Sequence, residues 1–268
     1  MIRHVSSASD PRLDNYRGIQ DRTVRRRAGL FVGEGLLVVE RMLALPGVTD
    51  SVLVAEGVAN RLLPATPPDV PLYVAPLDVL RTVAGFDIHR GVVAMGRRSP
   101  FEDRTLAEIV PSRPRSACLL ACEGITNSDN VGLLFRSAAA LGAAGLILDP
   151  TSHDPLYRRS VRVSIGHVLT VPWARARDWP ADLARLKAER GLALIGAATD
   201  PECDPIDALA AQDRCVLVVG SEGAGLARAT LDVCDHVVRI PMAPDVDSLN
   251  VAVAAAILLH ELVRTGRR

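Results

Sequence analysis

The chain has 268 residues, of which 49% are hydrophobic and 23% charged, and its formal net charge is +0. That composition is globular rather than disordered, and the length suits one large domain or two of ordinary size. Neutrality excludes a polyanion binder working through whole-molecule charge and leaves only local basic patches.

In chain order, Pro11 to Arg27 is polar and helical in composition and stops at Gly29. Leu30 to Gly33 reads as a short strand, and Gly35 to Leu45 as a helix ended by Pro46-Gly47. Strands follow at Ser51 to Ala55, Leu72 to Ala75 and Gly91 to Met95, with a helix at Leu77 to Ala84. These make a small α/β unit of common domain size. Arg97-Arg98-Ser99-Pro100 and Pro111-Ser112-Arg113-Pro114 then punctuate the chain, as a linker or short crossing helix does. The reading places one domain at 1–99 and a second at 100–268.

The second half alternates more regularly. Strands are predicted at Ala117 to Cys122, Gly145 to Leu148, Val168 to Val171, Leu192 to Ala197, Cys215 to Val219 and His236 to Ile240. Helices are predicted at Val131 to Leu141, Leu156 to Ile165, Pro180 to Arg190 and Leu249 to Val263, with Ser248 or Asp247 as N-cap of the last. Alternation of this kind gives a mostly parallel sheet with helices on both faces. With only 3% aromatic residues, the core is built from Ala, Val and Leu.

Five cysteines without a C-x-x-C pair, three of them in or beside apolar runs, point to buried thiols in a reducing compartment. The six histidines have no metal-ligand spacing, so no metal site is expected. No apolar run reaches membrane-helix length, and the first residues lack the apolar core of a signal peptide. A cytoplasmic location is the expectation.

Three stretches carry polar groups at the ends of strands, where open α/β sheets bind ligands. The first is Asn127-Ser128-Asp129-Asn130-Val131-Gly132, followed by Arg136; alone, it reads as a helix cap, Asp129 or Asn130, and a surface cation. The second is Gly220-Ser221-Glu222-Gly223-Ala224-Gly225-Leu226, whose glycines permit positive φ and a close backbone approach. Its spacing matches neither a Walker loop nor the dinucleotide fingerprint. The third is Ser248-Leu249-Asn250-Val251-Ala252, the start of an Ala-rich helix whose small residues allow close packing on another element.

Together these stretches resemble the SpoU (TrmH-like) family of RNA 2′-O-ribose methyltransferases, within the SPOUT superfamily. The pattern N-x-x-N-x-G-x-x-x-R is met by Asn127 through Arg136, G-[SN]-E-x-x-G-L by Gly220 through Leu226, and I-P-M followed by S-L-N-V by Ile240 to Met242 and Ser248 to Val251. The family commonly has Ser where this chain has Ala252. The first half resembles the family's L30e-like substrate-binding domain, on Arg25-Arg26-Arg27-Ala28-Gly29-Leu30-Phe31-Val32-Gly33-Glu34-Gly35 and His89-Arg90-Gly91-Val92-Val93-Ala94.

The resemblance implies methyl transfer from S-adenosylmethionine to a ribose 2′-OH, in rRNA, with tRNA or a non-catalytic RNA-binding scaffold as the alternatives. It implies a catalytic group of Arg136, Asn130, Glu222 and Asn250, and a cofactor site at Gly220, Ile240, Leu249 and Ser248, largely through backbone groups. It places RNA contacts at Arg25, Arg26, Arg27 and Arg90; Arg158, Arg159 and Arg162 form a second candidate patch. It further implies an α/β fold in two domains, a deep trefoil knot in the second, and a homodimer with its sites beside the interface.

Overall fold

The computed structural model describes residues 2–19, 28–85, 88, 91–112 and 116–265. The RNA-contact candidates Arg25, Arg26, Arg27 and Arg90 lie outside the described residues. The chain forms two compact units, Met1–Glu102 with Pro155–Leu169, and Asp103–Asp154 with Thr170–Arg268. The segment Pro155–Leu169, read from the sequence as part of the second domain, thus folds with the first.

The first unit holds a mixed five-stranded sheet in the order β1-β4-β3-β5-β2. Its strands are β1 (Ile2–His4), β2 (Leu30–Glu34), β3 (Thr49–Ala55), β4 (Leu72–Ala75) and β5 (Val92–Arg97). Strands β1, β4 and β3 run parallel, and β5 pairs antiparallel with β3 and β2. The helix expected at Gly35 to Leu45 is present as Leu36–Leu43, and the one expected at Leu77 to Ala84 is present as Leu77–Ala84; the second ends at Gly85, whose φ of 76° suits a residue without Cβ. Strand β1 and the Glu56–Leu62 helix were not expected. Three exposed residues at a sheet edge carry too short a pattern to read.

Glu34, at the end of β2, is only 2% exposed. A buried carboxylate needs a partner, and the Arg158–Val163 helix supplies it. Arg158 Nη1 donates to Glu34 Oε2 at 3.0 Å, and Arg162 Nη1 lies 3.8 Å from the same oxygen. Arg41 Nη1 also donates to the carbonyl of Ile165. Two arginines of the second candidate RNA patch are therefore engaged inside the first unit.

The second unit is a seven-stranded sheet in the order β10-β12-β9-β11-β6-β7-β8. The strands are β6 (Ala117–Cys122), β7 (Gly145–Leu148), β8 (Trp173–Arg175), β9 (Ala193–Ala197), β10 (Asp204–Pro205), β11 (Arg214–Val219) and β12 (His236–Arg239). Every pairing is parallel, which is why the middle strands β6 and β11 read as continuous apolar runs. Leu119, Ala121, Ile147, Leu194, Val216 and Val218 form the centre of one core layer. The strand expected at Val168 to Val171 is instead a 3-10 turn, His167–Leu169, and the eighth strand starts after Pro172. Leu169 N donates to the carbonyl of Gly166, so the apolar residues turn, and Trp173 and Ala174 pair with β7 instead.

Candidate active site

Parallel order puts the carboxyl ends of β6, β11 and β12 on one edge of the sheet, and each of the three motifs follows one of those ends. After β6, Asn127 caps the Ser128–Leu141 helix: its Oδ1 accepts from Asp129 N at 2.8 Å. The cap is therefore Asn127, not Asp129 or Asn130 as read from the sequence. The freed Asn130 sits inside the first turn, 6% exposed.

The C-terminal helix, Val251–Thr265, has Asn250 as its cap rather than the expected Ser248 or Asp247. Asn250 Oδ1 accepts from Ala252 N at 3.0 Å and Val253 N at 3.4 Å. That fixes the orientation of the amide, since its oxygen must face the helix. Both hydrogens of Nδ2 then point the other way. One donates to Asn130 Oδ1 at 3.0 Å and the other to Glu222 Oε1 at 2.6 Å. One side chain thus joins all three motifs. Glu222 keeps its second oxygen without a protein partner among the described residues.

The glycine loop after β11 turns back on itself. Gly225 N donates to the carbonyl of Ser221 at 3.0 Å, with Gly223 and Gly225 at φ 90° and 67°. A Cβ on Gly220 would lie 2.1 Å from the carbonyl carbon of Gly225 and 2.5 Å from Leu226 N. Glycine is required there by the loop's own return, where the sequence suggested approach to a ligand.

Beside this loop lies a cavity of about 510 Å³, within the size range of small-molecule sites. It brings together all four expected cofactor positions, Gly220, Ile240, Leu249 and Ser248, and also Glu222. Its apolar wall comes from Val219, Leu226 and Leu258. Sequence reasoning missed the loop after β9, where Ala198, Thr199 and Asp200 line the same cavity. Its signal was position alone, at the carboxyl end of a strand beside β11.

Arg136 stands apart from this hydrogen-bonded group. It is exposed on the Ser128–Leu141 helix, and among the described residues no hydrogen bond or ion pair holds its guanidinium. An exposed, unpaired fork of donors suits a phosphate or ribose brought by a ligand.

The arrangement has known counterparts. The sequence model of the SpoU rRNA Methylase family matches residues 117–260. An uncharacterized tRNA/rRNA methyltransferase of Mycobacterium tuberculosis is 40% identical, over 99% of this chain and 93% of its own. The 23S rRNA (guanosine-2′-O-)-methyltransferase RlmB of Ralstonia nicotianae is 33% identical over 80% of this chain and 81% of its own. Among solved structures, the SpoU methyltransferase AviRb from Streptomyces viridochromogenes, in complex with the cofactor AdoMet, superposes with a TM-score of 0.79 at 31% identity, covering 95% of this chain and 98% of that one.

Proposed function

The chain belongs to the SpoU rRNA methylase family, and from that premise we propose that it methylates the 2′-OH of a ribose in ribosomal RNA, using S-adenosylmethionine. The observation that carries this reading is the junction at Asn250, which ties Asn130 to Glu222 beside the cavity. Catalysis needs such pre-set geometry. Ribosomal RNA is favoured over tRNA by the relative that acts on 23S rRNA.

The cavity suits the cofactor. Its volume of about 510 Å³, its apolar wall and the exposed backbone of the Gly220–Leu226 loop offer room for a nucleoside and amides for polar groups. Gly220, Ile240, Leu249 and Ser248 would hold it there. When bound, S-adenosylmethionine supplies an already activated methyl group.

The chain's residues then have three tasks. Arg136 orients the ribose and its phosphate; its charge is too stable for it to serve as base. Asn250 holds Glu222 Oε1 and Asn130 Oδ1 through the two hydrogens of its Nδ2. Glu222 presents its second oxygen where a hydroxyl proton can be accepted or oriented.

The reading extends to a homodimer. Val253 and Ile257 lie one turn apart on the C-terminal helix, 48% and 39% exposed, and Leu133 on the Ser128–Leu141 helix is 36% exposed. These two helices pack together, so their outward apolar side chains suit a second copy. A knotted C-terminal passage belongs to the same reading, as do RNA contacts by the first unit. Mapping of 2′-O-methyl groups in ribosomal and transfer RNA from a deletion strain tests the proposal: one ribosomal position should lose its methyl group. An unchanged map of both RNA classes would overturn it.

A further inference from the structure

A second polar network sits on the same sheet edge, on the far side of β6 from the glycine loop. Asp149, directly after β7, is 4% exposed. Its Oδ1 accepts from Ser152 N at 2.7 Å and its Oδ2 from Thr151 Oγ1 at 2.5 Å. Ser152, 6% exposed, continues the network, since its Oγ accepts from Ile125 N at 3.1 Å. His153 N donates to the carbonyl of Ile125 at 2.8 Å. The turn that leads from β6 to the Asn127 cap is therefore held at Ile125 by Ser152 and His153, and Ser152 is in turn held by Asp149.

Arg175 locks the network from the neighbouring strand. Its Nη1 donates to the carbonyls of Asp149 at 2.6 Å and Ser152 at 2.9 Å, and its Nη2 to that of His153 at 3.4 Å. The chain leaves the second unit after Asp154 and re-enters it at Thr170. Arg175, just past the re-entry, thus grips the exit and closes the neck of that excursion. Burial pushes the Asp149 carboxyl up, but the bonds from Ser152 and Thr151 and the nearby backbone amide of Gly124 outweigh it, and the net pKa lies below the ordinary carboxylate range. A charged Asp149 matches the two donors bonded to it, Ser152 N and Thr151 Oγ1.

We propose that Asp149, clamped by Arg175, is a positioning residue for methyl transfer: it fixes the Gly124–Asn127 turn and through it the helix that carries Asn130 and Arg136. The proposal rests on the methyltransferase reading for its effect on rate, and on geometry alone for its effect on the turn. Asp149 is not among the residues that line the cavity. Its loss acts on alignment, and a shift of about 1 Å at a reacting group can lower a rate about a hundredfold.

The test uses the full chain with Asp149→Asn, and Arg175→Lys as a second variant should the first fail to fold. Three quantities are read: kcat and KM on the RNA, the dissociation constant of S-adenosylmethionine, and amide hydrogen exchange by mass spectrometry. The expected result is a kcat lower by about a hundredfold, cofactor affinity within about twofold of wild type, and faster exchange confined to the peptide spanning Glu123 to Val131. Unchanged exchange there, or a faster exchange that leaves kcat intact, would overturn the proposal, as would exchange rising equally in β11. If the wild-type chain methylates no RNA, the functional reading fails by itself, and the exchange measurement still decides whether Asp149 holds the turn.

Discussion

The side-chain amide of Asn250 donates to Glu222 Oε1 at 2.6 Å while its own oxygen caps the C-terminal helix. Helix start and glycine loop are thereby set by one residue, and the two roles can be separated by substitution. Asn250→Ala removes both. It should cost about 1 kcal/mol for the lost cap, or about 3 °C in melting temperature for a unit of this size, and lower methyl transfer about a hundredfold. Asn250→Asp restores an acceptor for the helix amides but cannot donate to Glu222 or Asn130. Calorimetric melting and single-turnover rates should show the helix start recovered and the rate still lost.

The glycine loop offers a contrast within a few residues. Gly220→Ala places a methyl group 2.1 Å from the backbone of Gly225, which cannot yield as a side chain can. The loop must move. Affinity for S-adenosylmethionine should fall at least about tenfold, and stability by about 1–3 kcal/mol, the range for overpacked sites. Gly223→Ala meets nothing within 4 Å and suffers only from its φ of 90°. It should cost about 1–2 kcal/mol and keep most of the affinity. Isothermal titration of both variants checks the order.

Much of this site could be read in the sequence because its chemistry sits in contiguous words. Asn130, Glu222 and Asn250 each stood in a short pattern after an apolar strand, and the structure brings the three into one hydrogen-bonded group. What the sequence hid was local competition. Ser248, Asp247 and Asn250 are all good caps, and only the tertiary donors to Glu222 and Asn130 select Asn250. Asn130 lost to Asn127 in the same way, since its Oδ1 accepts from Asn250. The β9 loop was missed because Ala198 and Thr199 carry no distinctive chemistry; their role follows from strand order. The helix expected at Leu156 to Ile165 forms over Arg158–Val163, but its docking on β2 depends on Glu34, 124 residues away in sequence, and a pairing of that range leaves no periodic trace. The strand expected at Val168 to Val171 failed because an apolar run reads alike in a turn packed on a core and in a strand.

Acid should weaken the second unit in a narrow window. Desolvation raises the carboxyls of Asp149, Asp182 and Asp235, but hydrogen bonds and nearby cations outweigh it, and all three lie below the ordinary value of 3.8. For Asp235 the partners are Lys187 Nζ at 2.5 Å and Leu194 N at 2.9 Å. A depressed folded-state pKa adds stability that is complete above the unfolded value and is lost as pH falls through the folded one. These groups should therefore give a flat melting temperature at pH 5 to 8 and a steep decline below about pH 4. Asp235→Asn should flatten part of that decline in melts taken between pH 2 and pH 6.

The outward apolar side chains of the C-terminal helix make a further expectation. Val253→Asp with Ile257→Asp puts two carboxylates on the surface proposed to meet a second copy. Light scattering should give a dimer mass for the wild type and a monomer mass for the double variant. A monomeric wild type at micromolar concentration contradicts the dimer.

Arg136 bears the central claim. It is exposed and unpaired among the described residues, one helix turn and more beyond the buried Asn130. A structural arginine would lose stability on truncation; a group that waits for substrate would not. Single-turnover methyl transfer from labelled S-adenosylmethionine to ribosomal RNA, run with melting curves for wild type, Arg136→Ala and Arg136→Lys, separates the two. The account predicts label on a ribose 2′-oxygen for wild type, a rate about a hundredfold lower for Arg136→Ala at unchanged melting temperature, and little recovery with Arg136→Lys, whose ammonium lacks the planar fork. A wild-type rate in Arg136→Ala, or its loss of rate together with loss of folding, would contradict it.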